Sequence, residues 1–195
     1  MYQLRVRVIK VGSCTVDPSN MVSAVEVSLK HQLGVGGGST ASVVHEGDDV
    51  LLVDTGYENE SDLTPANDEA NWRRLETLLS LIGFSAGDVT KVFVSHFHRD
   101  HFGGIERFET ATWYCHRVAL AQFDSSLWER FIPLDDGDEI VPNTRVVHTP
   151  GHTEGHASLL WTDERELVRI GICGDAILNL AWLLSGHTWK FNADF

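Results

Sequence analysis

Cysteine is scarce in this 195-residue chain, and the three present, Cys14, Cys115 and Cys173, stand far apart with no CxxC pair. A disulfide framework and a cysteine-built zinc ribbon are thereby excluded. No run approaches the ~18 uncharged apolar residues of a membrane span. The opening residues Met1 to Val8 alternate like a strand and lack the apolar stretch of a signal peptide. A soluble cytoplasmic protein with no membrane partner is the expectation. Basic side chains are also few, 15 Lys and Arg against 28 Asp and Glu, for a formal charge of −13. That balance argues against nucleic acid as a partner, because phosphates call for clustered Lys and Arg. A bound metal pair would add local positive charge that the formal count omits.

Repeats, low-complexity blocks and linkers are likewise missing. With 43% hydrophobic and 22% charged residues the composition is globular, so wholesale disorder, collagen and coiled coil are ruled out. The length suits one domain covering residues 1–195, with enough chain to bury a sizeable core.

Strand patterns fall at 4–11 and 22–30, with Asp17-Pro18-Ser19-Asn20 as turn chemistry between them, and Gly34 to Gly38 reads as a flexible connection. Residues 41–45 and 50–54 form a hairpin around Glu46-Gly47-Asp48-Asp49. A helix follows Pro65 through Trp72, Leu75, Leu78, Leu79 and Ile82, with Gly83 as its stop. Lys91 to Ser95 is a buried-strand run, Ala111 to His116 a further strand, and Val118 to Phe123 a short helix. Past the Asp135–Asp138 turn, Ile140-Val141, Arg145–Val147, Leu159–Trp161 and Leu167–Cys173 read as strands. Strands dominate and helices are inserted between groups of them, which predicts an α/β or α+β layered domain.

What the chain has in excess is histidine, ten in all. The strand Lys91–Ser95 runs directly into His96-Phe97-His98-Arg99-Asp100-His101. Residues two apart on extended backbone share a face, so His96 and His98 can address one point. Asp100 and His101 follow as the chain turns and can face a second point close by. Imidazole nitrogen and carboxylate oxygen suit zinc, and iron or manganese tolerate the same set. Two further strand ends contribute. Thr149-Pro150-Gly151 projects His152 from a tight turn, and Gly174-Asp175 presents a carboxylate able to bridge two metals.

These pieces resemble the metallo-β-lactamase-fold hydrolases, through HxHxDH at 96–101, TPGHTEGH at 149–156 and Gly174-Asp175, in that order. Leu52-Val53-Asp54-Thr55-Gly56 is similar to the aspartate-containing turn of that superfamily. The resemblance implies an α+β, αββα four-layer sandwich with a metal pair at one edge. It implies that His96, His98 and His152 hold one ion, Asp100 and His101 the other, and that Asp175 bridges them, while Asp54 orients the ligand loop. The two ions would be divalent, zinc first and iron or manganese as alternatives. Function is expected to be metal-dependent hydrolysis, with a metal-bound hydroxide attacking a small-molecule ester, thioester or lactone, as in the glyoxalase II and lactonase branch. Asp100 is the catalytic candidate, guiding the nucleophile or taking a proton. The leaving-group acid stays open between Tyr57, Tyr114 and a bound water, and a homodimer is a superfamily-level implication.

The family's final histidine ligand comes some tens of residues beyond the bridging aspartate, whereas Phe195 stands only 20 residues after Asp175. The expectation is that the last C-terminal strand and helix are lacking, by truncation or natural shortening. His187, the sole later histidine, comes early for that role. Three alternatives remain open: a phosphodiesterase or nuclease of the same superfamily, a mononuclear iron sulfur dioxygenase using His96, His152 and Asp175, and a metal-binding module without catalysis. His31, His45, His116, His148 and His156 read as structural or exposed, and Cys173 as a buried core thiol.

Overall fold

The computed structural model describes residues 5–10, 40–56, 65–123, 126–165 and 167–177. Six strands form the larger sheet in chain order: β1 (Val6–Lys10), β2 (Thr40–Glu46), β3 (Asp49–Val53), β4 (Lys91–Val94), β5 (Thr112–His116) and β6 (Phe131–Leu134). β1, β2 and β3 pair antiparallel, and β3 to β6 run parallel. The smaller antiparallel sheet holds β7 (Thr144–His148), β8 (Ala157–Asp163) and β9 (Val168–Ile172).

Central strands buried on both faces need apolar residues at consecutive positions, and this is the pattern of β3 and β4. Val50 and Leu52 join Val92 and Val94 on one face, where Leu75 and Leu79 of α1 (Pro65–Leu81) pack against them. Leu51, Val53 and Phe93 turn to the opposite face and meet Val146, Ala157, Leu159 and Trp161 of the small sheet. One-residue alternation thus builds two cores on the two sides of a single sheet. α1 ends as its sequence indicates. Gly83 takes φ +87°, and the N–H groups of Gly83 and Phe84 donate to the carbonyls of Ser80 and Leu79.

The two sheets are also tied by polar groups. Glu46 is buried in β2, accepts the Trp161 indole N–H at 2.8 Å and pairs with Arg5. Beside the end of β4, the Ala157 N–H donates to the Ser95 carbonyl at 2.9 Å. The second bond closes the corner where the histidine motif begins.

Helix, large sheet and small sheet are three layers of the expected α+β sandwich. The expected 22–30 strand lies before Thr40, and the stretch where a last strand and helix were expected to be lacking lies beyond Ile177, both outside the described residues. Two sequence readings need correction. Ile140 and Val141 form a turn, whose N–H groups donate to Thr144 Oγ1 at 3.2 and 3.1 Å, while their side chains fill the inter-sheet core. Apolar burial without strand pairing is what misled the pattern. β6 went unrecognised because Pro133 interrupts it, which its place at the sheet edge tolerates. Among the described residues no helix is long and apolar enough to cross a membrane.

Candidate metal centre

β4 delivers the chain to the site. After Val94 the chain bends at Ser95 and runs on to His98, whose backbone is extended, then turns into α2 (Arg99–Phe102), a single helical turn. This segment brings the rings of His96 and His98 together, and the helical turn carries Asp100 and His101 inward, both buried. His98 Nδ1 lies 3.0 Å from His96 Nε2 and 2.8 Å from His152 Nε2, so three imidazoles from two loops converge. His101 Nε2 lies 3.5 Å from Asp100 Oδ2 and 3.3 Å from Asp175 Oδ1. The other oxygen of Asp175, Oδ2, lies 3.5 Å from His152 Nε2. All six sequence-predicted ligands therefore meet at one edge of the two sheets.

Two triads emerge, His96, His98 and His152, and His96, His101 and Asp175, each with its ligand atoms within 4.8 Å of one another. A tetrahedral ion with nitrogen ligands at ~2.0–2.1 Å keeps them roughly 3.3 Å apart. The observed separations of 2.8 to 3.5 Å bracket that value. Donor chemistry agrees. Three imidazole nitrogens aimed at one point share no proton that could satisfy them all, and His101 Nε2 is buried without an aligned hydrogen bond. A divalent cation suits such a set.

Hydrogen bonds behind His96 and His101 fix which nitrogen each presents. Asp54 takes φ +58°, a left-handed conformation that its short polar side chain tolerates. From there its Oδ1 accepts the Ser95 N–H at 2.7 Å, and its Oδ2 accepts the Ser95 hydroxyl and His101 Nδ1–H, each at 2.8 Å. Having given its one proton to Asp54, Ser95 Oγ can only accept from His96 Nδ1–H at 3.1 Å. His96 and His101 are thereby held in the tautomer that leaves Nε2 facing the centre. Thr55 adds a backbone clamp, its N–H and Oγ1 both donating to the His101 carbonyl at 2.7 and 3.1 Å.

Electrostatics separate the two histidines. Burial, reinforced by the rings of His101, His156, His98 and His152, holds His96 well below the ordinary imidazole range, so it stays neutral. Burial works against charge on His101 too, but Asp54 and Asp175 overcome it and hold that imidazole well above the ordinary range. Positive charge is called for at that point. Asp175 is pushed upward by burial and held down by the neighbouring His101 imidazole, with the net result below its ordinary value.

Glycines decide how closely the loops approach. A Cβ at Gly174, where φ is +46°, would sit 2.8 Å from both His156 Nε2 and Ser95 Oγ, so only glycine can deliver Asp175 here. A Cβ at Gly155 would fall 2.2 Å from Ala119 Cα in α3 (Arg117–Gln122). Gly155→Val is expected to force α3 and the His152 loop apart, costing about 1–3 kcal/mol. A thermal melt should then show Tm lowered by roughly 2–12 °C.

His156 is fully buried beside the centre and lies in neither triad. Its Nδ1 meets Thr149 Oγ1 at 2.9 Å, and burial first, then His152, pushes its imidazole down to about 3. Cys173 is only half-buried, while Cys115 is the fully enclosed thiol, its pKa raised to about 12 by burial. Tyr114 packs against the inter-sheet core, and Tyr57 and His187 lie outside the described residues. Sequence reasoning named Ser95 and Gly174 but missed their roles. Ser95 matches no nucleophile motif, and its one available signal was its place immediately before the histidine run.

Two facing sheets, with helices on the outer face of the larger and a histidine–aspartate cluster where strand ends meet, define a metal-binding α+β sandwich. The chain belongs to the metallo-beta-lactamase superfamily, whose model matches residues 34–188. It is 34% identical over 101 residues to an N-acyl homoserine lactonase of Bacillus sp, covering 47% of this chain and 40% of that one. It is 33% identical over 82 residues to a hydroxyacylglutathione hydrolase of Rhodopseudomonas palustris (strain HaA2), covering 40% and 32%. Both matches span less than half of those relatives. Among solved structures, AidC, a dizinc quorum-quenching lactonase in complex with a product, superposes with a TM-score of 0.66 at 16% identity, over 85% of this chain and 69% of that chain. That last likeness is one of fold.

Proposed function

We propose that this protein is a metal-dependent hydrolase of small acyl compounds, opening a lactone or a thioester at a centre for two divalent ions. The observation that carries the reading is the division of Asp175, with one oxygen toward His101 and the other toward His152. A carboxylate so placed can be shared by two ions. His96, His98 and His152 would hold one, Asp100 and His101 the other, with zinc as the expected metal. Such ions, when bound, polarise a carbonyl oxygen and lower the pKa of a coordinated water toward neutrality.

The chain's own residues do the positioning. Ser95 and Asp54 lock His96 and His101 in the ligand tautomer, and Thr55 fixes the backbone beneath His101. Asp100 is buried and its Oδ2 faces the His101 ring, where it can take a proton from the nucleophile and return it to the leaving group. His98 is exposed while His96 is enclosed, so substrate reaches the centre from the His98 side. The names of the relatives, a lactonase and a hydroxyacylglutathione hydrolase, support an acyl substrate over a phosphodiester.

Turnover of an N-acyl homoserine lactone, a hydroxyacylglutathione, bis-p-nitrophenyl phosphate and nitrocefin should be compared on the zinc-loaded chain. Hydrolysis of the first or second, abolished in His98→Ala, is expected. Exclusive turnover of the phosphodiester would replace this reading with a phosphodiesterase, and oxygen uptake with a persulfide would replace it with an oxygenase.

A further inference from the structure

The loop that carries His152 rests on a platform with no part in the proposed reaction. His116 closes β5 and caps α3, its Nδ1 accepting the Val118 N–H at 3.3 Å. The buried His116 ring stacks on His148 with centroids 4.2 Å apart and planes 7° from parallel. His148 in turn donates from Nε2 to the Glu154 carbonyl at 2.8 Å. Glu154 belongs to the loop between Thr149 and His156, which Thr149 N–H closes by donating to the His156 carbonyl at 3.0 Å. α3 grips the same loop twice more, through Ala119 against Gly155 and through a hydrogen bond from Gln122 to the Glu154 side chain.

We propose that His116 and His148 are a positioning pair for His152, holding its loop in place while the His116 ring is uncharged and releasing it when His116 takes up a proton. The inference rests on the reading of His152 as a metal ligand. His116 Nδ1 must keep its lone pair to accept from Val118. Once protonated it points an N–H at another N–H, and the cap is lost. A charge on one stacked ring also opposes a charge on the other.

The surrounding charges are few and mixed. Asp135 and Asp136 favour protonation of His116, while Arg117 opposes it and is itself held by Asp135 through two bonds of 2.9 Å. Asp136 is engaged by the His148 N–H at 2.8 Å, and Glu154 by Gln122. Burial, seconded by His148, outweighs the two aspartates and keeps His116 below the ordinary imidazole range. A group held down in this way binds its proton less tightly when folded than when unfolded. Its contribution is therefore fully present above an ordinary pKa of ~6.5 and is lost as pH falls below that value.

The test is amide hydrogen exchange at Thr149, Gly151 and His156, expressed as protection relative to intrinsic rates, at pH 7.5 and 5.5. It is run on the full chain, with and without zinc. Protection in the wild type is expected to fall about tenfold on acidification, one unit of proton linkage. His116→Asn keeps a capping oxygen but cannot take a charge, and its protection should change less than about twofold. His148→Phe keeps a ring but cannot donate to the Glu154 carbonyl, so protection should be lower at both pH values, and the fall on acidification should remain because His116 still takes up the proton. A fall in His116→Asn equal to that of the wild type, or no fall in the wild type, would overturn the proposal. Failure of the metal reading shows separately, as a chain that binds no zinc while the loop response is still measurable.

Discussion

Asp175→Ala is expected to lower bound zinc from about two ions per chain to one or none, and to lower turnover on an acyl substrate by about 1,000-fold or more. The effect is large because this carboxylate reaches both halves of the centre, His101 through Oδ1 and His152 through Oδ2. Asp175→Asn keeps the shape, removes the charge and offers one acceptor oxygen in place of two, so it should retain at most one ion. Metal content by plasma mass spectrometry, with turnover measured on the same samples, reads both effects. Two ions retained in Asp175→Ala would remove the bridging role.

The second large effect is expected at Asp54, which touches no substrate. Its carboxylate is buried and accepts three hydrogen bonds, two from Ser95 and one from His101. Asp54→Ala leaves those buried donors without an acceptor and the His101 ring without a fixed tautomer. Breaking a buried charged network of this kind costs about 3–5 kcal/mol. Losing the group that orients a ligand costs about 10–100-fold in metal affinity. The left-handed φ of +58° adds a backbone penalty for alanine that asparagine largely escapes. Urea unfolding and chelator competition should therefore rank wild type above Asp54→Asn above Asp54→Ala in both stability and zinc affinity. An alanine variant within about 0.5 kcal/mol of wild type would mean that Asp54 carries no such network.

Much of the candidate cluster was legible in the sequence because its residues lie at short, local spacing. His96, His98, Asp100 and His101 lie within six residues, and a strand followed by one helical turn is enough to converge them. The hairpin at β2 and β3, α1 with its Gly83 stop and the buried strand β4 were equally local patterns. What escaped were features set by long-range contact. Ser95 gains its role from Asp54, 41 residues earlier, and Gly174 from its pressure on His156 and Ser95. His116 looked structural because its partner His148 comes from the other sheet, and no spacing in the chain announces that stack. β6 and the Ile140–Val141 turn show the same limit, since edge position and core burial are properties of the assembled sheets.

The most direct measurement is metal content per chain after equilibration with excess zinc and removal of free ion, followed by stepwise stripping with a chelator while hydrolysis of an acyl substrate is monitored. About two zinc ions per chain are expected, with activity falling in step as they leave and returning when they are restored. Less than half an ion per chain, with hydrolysis undiminished, would contradict a metal centre at His96, His98, Asp100, His101, His152 and Asp175.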